Sequence, residues 1–164
     1  MTEESNSNDF HVTWLSPRLC RLTEFTGNES YLALGSATGA VINTGSGAGD
    51  LYTMIRSLTK KPIIVLLTGG RTEFIAGTQG FDVVYLNRRD TPLLPRQADR
   101  FLPMCDGDRF DLGGLHITMR ACPGDTPGSM AADLEEEHVR ITDKGMTICD
   151  SVDDRKKKQK EILP

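Results

Sequence analysis

The five-residue apolar run Ile63-Ile64-Val65-Leu66-Leu67 constrains this chain more than any other segment. Pro62 precedes it and Gly69-Gly70 follow almost at once. An unbroken apolar run between such turn formers reads as a buried strand. The segment after it, Thr68-Gly69-Gly70-Arg71-Thr72-Glu73-Phe74-Ile75-Ala76-Gly77, is a loop closing on small residues suited to starting a helix. A charged loop at the end of a buried strand is a place where chemistry is commonly put.

The flanking sequence supplies further elements. Tyr31 to Gly35 and Ala40 to Asn43 read as paired strands joined by the small-residue turn Ser36-Ala37-Thr38-Gly39. Asp50 can cap a helix whose Leu51, Met54, Ile55 and Leu58 fall at i, i+3, i+4 and i+7, one buried stripe. Pro62 then stops the helix, and Asp82 to Leu86 is the next strand candidate. Pro95 is expected to begin a short helix through Arg96 to Leu102. Gly113-Gly114 is a two-residue hairpin signal between Arg109–Leu112 and Leu115–Met119. A second hairpin is expected from Val139–Ile141 and Met146–Ile148, turning at Asp143-Lys144-Gly145. Residues 1–10 read as a mobile tail, 11–152 as one domain, and 153–164 as a charged tail.

Several of these segments together resemble the metallo-β-lactamase superfamily. Its His-x-His-x-Asp-His loop follows a threonine, as the loop after Thr68 does, but here those positions hold Gly69, Arg71, Glu73 and Phe74. Asn28 to Leu34 resembles the first core strand of that family. Ala40-Val41-Ile42-Asn43-Thr44-Gly45 is similar to a strand ending in Asp-Thr-Gly, with Asn43 for the aspartate. Pro123-Gly124-Asp125-Thr126-Pro127-Gly128-Ser129 resembles Pro-Gly-His-Thr-Pro-Gly-Ser, with Asp125 for the histidine. Cys149-Asp150-Ser151-Val152 is similar to Gly-Asp-Ser-Val, and Asp150 matches the aspartate that bridges two metals.

The resemblance implies an α+β fold, an αββα sandwich of two face-packed mixed sheets with helices outside. The family continues beyond its Gly-Asp strand to a last zinc-binding histidine, so the second half is expected to be abbreviated or the chain a fragment. The resemblance also implies zinc at two sites, and the ligand positions argue against both. The first would be held from positions 69, 71 and 125, which offer Gly69, Arg71 and Asp125. The second would use 73, 74 and a final histidine, and offers Glu73 and Phe74. Zinc favours imidazole and thiolate donors, and a guanidinium stays charged where a cation should sit. The expectation is a catalytically inactive pseudoenzyme with no catalytic residues and no cofactor, acting as a binding or scaffold module. The alternative is a hydrolase of the same superfamily with one divalent cation on Glu73, Asp125 and Asp150, whose hard oxygen donors suit Mg²⁺, Ca²⁺ or Mn²⁺ rather than zinc.

The other candidate groups carry less. His11, His116 and His138 lie outside the motifs and read as ordinary surface or sheet residues. Cys20, Cys105, Cys122 and Cys149 show no Cys-x-x-Cys spacing and read as free thiols, although Cys122 and Cys149 flank the motif aspartates. Gly45-Ser46-Gly47-Ala48-Gly49 before a helix is glycine-rich but lacks the Lys-Ser/Thr ending of a phosphate loop, and Asp50 at the cap disfavours anions. A formal charge of −4 argues against nucleic acid as a partner. No apolar run is long enough to cross a bilayer, and the acidic N-terminal run is unlike a signal peptide, so the expected compartment is the cytoplasm. An uncharged edge strand around Met146, Ile148 and Cys149 predicts a two-fold dimer.

Overall fold

The computed structural model describes residues 9–93 and 100–149, together with the backbone of residues 4–6. Two sheets pack face to face. The larger has eight strands in chain order: β1 (Glu4–Asn6), β2 (Phe10–Ser16), β3 (Leu19–Glu24), β4 (Glu29–Leu34), β5 (Gly39–Ile42), β6 (Ile63–Leu66), β7 (Val84–Asn87) and β8 (Leu102–Met104). It is antiparallel through β5 and parallel from β5 to β8. The smaller sheet is antiparallel, in the order β13 (Gly145–Ile148), β12 (Val139–Thr142), β11 (Met130–Leu134), β10 (His116–Ala121), β9 (Arg109–Asp111).

The alternation of side chains along the large sheet builds two separate apolar layers. Phe10, Val12, Cys20, Leu22, Leu32, Val41, Val65, Leu67, Val84 and Leu86 pack with Leu51 and Ile55 of α1 (Leu51–Leu58). The intervening residues, among them Leu19, Tyr31, Ala33, Ala40, Ile42 and Leu66, face the small sheet. There they meet Ile117, Met119, Met130, Ala132, Leu134, Val139 and Ile141. Each large aliphatic side chain sealed in either layer contributes about 1.5–3 kcal/mol. Central strands such as β5 and β6 touch both layers, which is why their sequences read as continuous apolar runs.

Local signals place most of these elements. Asp50 Oδ1 accepts the Thr53 N–H at 3.1 Å, so α1 starts where the cap predicts. Gly113 and Gly114 have φ of 92° and 74°, values an L side chain rarely adopts, and they let His116 pair with Asp111 across a tight turn. In the second hairpin Thr142 pairs with Gly145, so the turn is Asp143-Lys144 alone.

Three expectations need correction. Residues 4–6, assigned to a mobile tail, form strand β1 on the edge of the large sheet, and Phe10 is buried. Backbone pairing with His11–Thr13 needs no apolar side chains, so composition gave no sign of it. The helix expected from Pro95 falls mostly on residues 94–99, outside the described ones; its last residue, Leu102, belongs instead to β8, parallel to β7. Strands β2, β3 and β11 were not anticipated. The helices α1 and α2 (Thr72–Ile75) both add buried residues to the layer on the outer face of the large sheet. The charged tail and the Asp150 segment also lie outside the described residues.

Candidate functional site

The loop after β6, the 122–129 loop between β10 and β11, and the Asp143-Lys144 turn converge at one end of the sandwich. Arg71 joins the first two. Its Nη1 donates to the Asp125 carboxylate and its Nη2 to Glu73 Oε1 at 2.5 Å. These hydrogen bonds, to Asp125 first and Glu73 second, raise the Arg71 pKa and hold the guanidinium charged. The three side chains are 42, 47 and 38% exposed for Arg71, Asp125 and Glu73, so water screens the trio. The Asp125 N–H is bound by Asp143 Oδ2 at 3.1 Å, which ties the loop to the second hairpin.

The other motif positions have separate tasks. Gly69 is buried, and a Cβ there would lie 3.3 Å from Thr126 Oγ1, so glycine lets the two loops approach. Phe74 packs partly against the helix-side core, and its carbonyl accepts the Thr44 N–H at 2.6 Å and the Thr44 hydroxyl at 2.7 Å. Asn43, with φ of 63°, accepts the Thr68 N–H and donates to Thr68 Oγ1, both at 2.9 Å. Asparagine tolerates this left-handed backbone better than most residues. A cleft of about 190 Å³ opens beside these groups, lined in part by Tyr31, Asn43, Glu73, Phe74 and Lys144.

One organising residue carries no sequence signal. Asp90, in the 3₁₀ turn Arg88–Leu93, is fully buried. Its Oδ2 accepts the Gly70 N–H at 2.8 Å and the Thr126 hydroxyl at 2.5 Å, and its Oδ1 accepts the Gly128 N–H at 2.7 Å. The partners lie 20, 36 and 38 positions away, which is why no local pattern reveals the brace.

The donor set does not fit a zinc centre. Gly69 has no donor, Phe74 has none, and a guanidinium lies between the two carboxylates of the loops. Among the described residues no three His, Cys, Asp or Glu side chains are grouped to hold a metal ion. Asp150 lies outside the described residues. His116 Nδ1 is 2.6 Å from Glu136 Oε2 in the small sheet, and His11 lies in β2. His138 precedes β12 with φ of 55° and a buried Nδ1 that has no partner. All four cysteines are free thiols. The glycine-rich segment before α1 borders a cleft of about 450 Å³ that includes Gly47, Gly49 and Asp50. The Asp50 carboxylate occupies the helix cap there, and no cation lines that opening, so it offers nothing to an anion.

No family model and no curated protein sequence matches the chain. Solved structures do. A β-lactamase from Chitinophaga pinensis is 25% identical with a TM-score of 0.61, over 78% of this chain and 58% of its own. A metallo-β-lactamase from Pontibacter korlensis is 17% identical with a TM-score of 0.69, over 80% of this chain and 70% of its own. A B3 metallo-β-lactamase characterised as the first with an active-site glutamic acid is 22% identical with a TM-score of 0.60, over 73% of this chain and 55% of its own. The chain thus spans between 55 and 70% of the length of these proteins. Two face-packed sheets and these likenesses give the chain the metallo-β-lactamase fold.

Proposed function

We propose that this chain is a catalytically silent metallo-β-lactamase-like domain working as a binding or scaffold module. One observation carries the reading: Arg71 is held between Asp125 and Glu73, so the centre of the ligand positions is filled by a side-chain cation. Without bound metal there is neither an activated hydroxide at neutral pH nor a Lewis acid on the substrate, and no other described group replaces them. Ser129 Oγ, in the 122–129 loop, accepts the Thr126 N–H at 3.1 Å and has no histidine partner among the described residues. The test is a native mass spectrum after incubation with zinc, run beside assays on lactam, thioester and phosphodiester substrates. The expected species carries no zinc, its mass a whole multiple of the 18.1 kDa chain, with hydrolysis at background; one or two zinc ions per chain, with turnover, overturns it.

A second reading rests on the surviving carboxylates. Glu73 and Asp125 meet at one point through Arg71, and one structural neighbour carries an active-site glutamic acid. A hydrolase using a single hard cation in place of that guanidinium is the alternative, and a titration of Arg71→Ala separates the two.

The working unit we assign runs from strand β1 to residue 152, acting in the cytoplasm as a two-fold dimer. Among the described residues no helix is long and apolar enough to cross a membrane. The dimer proposal is supported by β13, an edge strand with no charged residue whose Ile148 is 81% exposed. Light scattering at micromolar concentration tests it, and a monomer mass refutes it.

A further inference from the structure

A third cleft, of about 270 Å³, borders the 127–129 end of the loop. It is lined by Asn87, Arg88 and Arg89 at the end of β7, Met104, Cys105 and Asp106 after β8, and the loop residues Pro127 to Ser129. Its two arginines stand out by what they lack. Among the ten described arginines, Arg18, Arg21, Arg71, Arg109 and Arg140 are each paired with a carboxylate. Arg56 and Arg100 donate to backbone carbonyls. Arg88 and Arg89 are exposed and make no side-chain hydrogen bond or ion pair among the described residues. Arg120 is likewise unpaired. In a chain of net charge −4, two adjacent unneutralised guanidiniums on one cleft are a local reversal of sign.

We propose that this cleft binds a small phosphate-bearing molecule through Arg88 and Arg89. Two guanidiniums match the roughly −1.5 to −2 charge of a phosphomonoester, and their planar forks suit its oxygens. One acid shares the lining: Asp106, whose Oδ1 accepts the Ala121 N–H at 2.8 Å, leaving two positive side chains to one negative. Met104, Ala121 and Pro127 supply apolar wall for the organic part of the ligand. The volume falls just under the roughly 300 Å³ at which drug-sized pockets begin, which limits the ligand to about one ring. The Arg89 N–H bonds Asn87 Oδ1 at 3.0 Å, fixing the backbone that carries both arginines. None of these groups is a former metal-ligand position, so the site stands whether or not the domain is catalytic.

The test is calorimetric titration at pH 8 with phenyl phosphate, inorganic phosphate and succinate as probes, on the whole chain and on three variants. Phenyl phosphate is expected to bind most tightly, because it alone fills both the charged and the apolar walls. Arg88→Gln/Arg89→Gln should weaken it about tenfold or more, the scale of a lost charge-assisted hydrogen bond. Arg120→Gln should leave it unchanged, because Arg120 points to the opposite face of β10 from the cleft-lining Ala121. Both cleft arginines are exposed and unpartnered, so the double variant should melt with the parent; Arg88→Gln alone, expected to lose affinity too, covers the case where it does not. The proposal is overturned by no measurable phenyl phosphate binding at 10 mM (on the order of the weakest specific contacts), by equal affinity of parent and cleft variants, by an equal loss in Arg120→Gln, or by succinate binding as well as phenyl phosphate.

Discussion

Replacing Asp90 tests the claim that backbone donors rather than metal hold the two loops together. Asp90 is fully buried and accepts three hydrogen bonds, two from the amides of Gly70 and Gly128 and one from Thr126. In Asp90→Ala the Thr126 hydroxyl can turn to Ser129 Oγ, 3.2 Å away, but the two amides have no second acceptor. A buried donor left unpaired costs about 1–3 kcal/mol, so two cost about 2–6. Relief of the desolvated carboxylate offsets part of this, which leaves about 3–4 kcal/mol. At roughly 2–4 °C per kcal/mol for a chain of this size, Tm should fall by about 6–16 °C.

Asp90→Asn should fall between parent and Ala. One side-chain carbonyl remains, so one of the two amides keeps its acceptor, and the loss is about half, roughly 1.5–2 kcal/mol. Urea unfolding followed by circular dichroism measures both, with the midpoint moving and the slope unchanged. Two results refute the reasoning: Asp90→Ala melting within about 2 °C of the parent, a shift of under about 1 kcal/mol, or Asn costing as much as Ala. The first would mean the amides find other partners; the second, that volume and not acceptor count decides.

Other outcomes follow from particular contacts. Arg71→Ala should raise affinity for Mn²⁺ or Mg²⁺ in calorimetry, because it vacates the point between Glu73 and Asp125; an unchanged titration would place Arg71 outside the site. The Arg109 guanidinium beside Glu135 holds that carboxyl down from 4.5 to about 2, so its stabilisation is complete above pH 4.5 and is lost as pH falls towards 2. In Glu135→Gln, urea midpoints should therefore decline less over that interval than in the parent. The Glu136 carboxylate raises the His116 pKa above 6.5, so its contribution is present below pH 6.5 and fades as pH rises through the higher folded value; an NMR titration of Glu136→Gln should return His116 towards 6.5. Ile148→Lys on β13 should yield monomers by light scattering, and a persisting dimer would exclude that edge.

What could be read from sequence depended on how local the signal was. Asp50, Pro62 and Gly113-Gly114 act on their immediate neighbours, and the elements they delimit are present. Strand β11 runs Met130-Ala131-Ala132-Asp133-Leu134, of which all but Asp133 favour helix, and becomes a strand because β10 and β12 pair on both its sides. Strand β8 contains Pro103, tolerated because β8 is at the sheet edge. At the candidate site the motif comparison picked out the loops that meet, since Arg71 does reach Glu73 and Asp125. It missed Asp90 and the Arg88–Arg89 cleft, which have no counterpart among the quoted motifs and whose surroundings come from distant segments.

The hydrogen bonds around the loops hold their geometry through groups other than a metal ion. In a metal centre the ion itself draws loops together, and removing it can cost much of the folding energy. Here the convergence has other anchors. Asn43 clasps Thr68, the Thr68 carbonyl accepts the Met130 N–H at 2.8 Å, Asp90 binds Gly70 and Gly128, and Asp143 binds Asp125. Five of these bonds are donated by backbone amides, those of Thr68, Gly70, Asp125, Gly128 and Met130, which substitution at positions 69, 71, 73 and 74 leaves in place. Arg71 then adds a solvent-screened contact across a gap already set by the framework. The geometry of the loops thus rests on Asn43, Asp90 and Asp143 and on backbone amides, and the proposed binding or scaffold role asks for no more than that geometry.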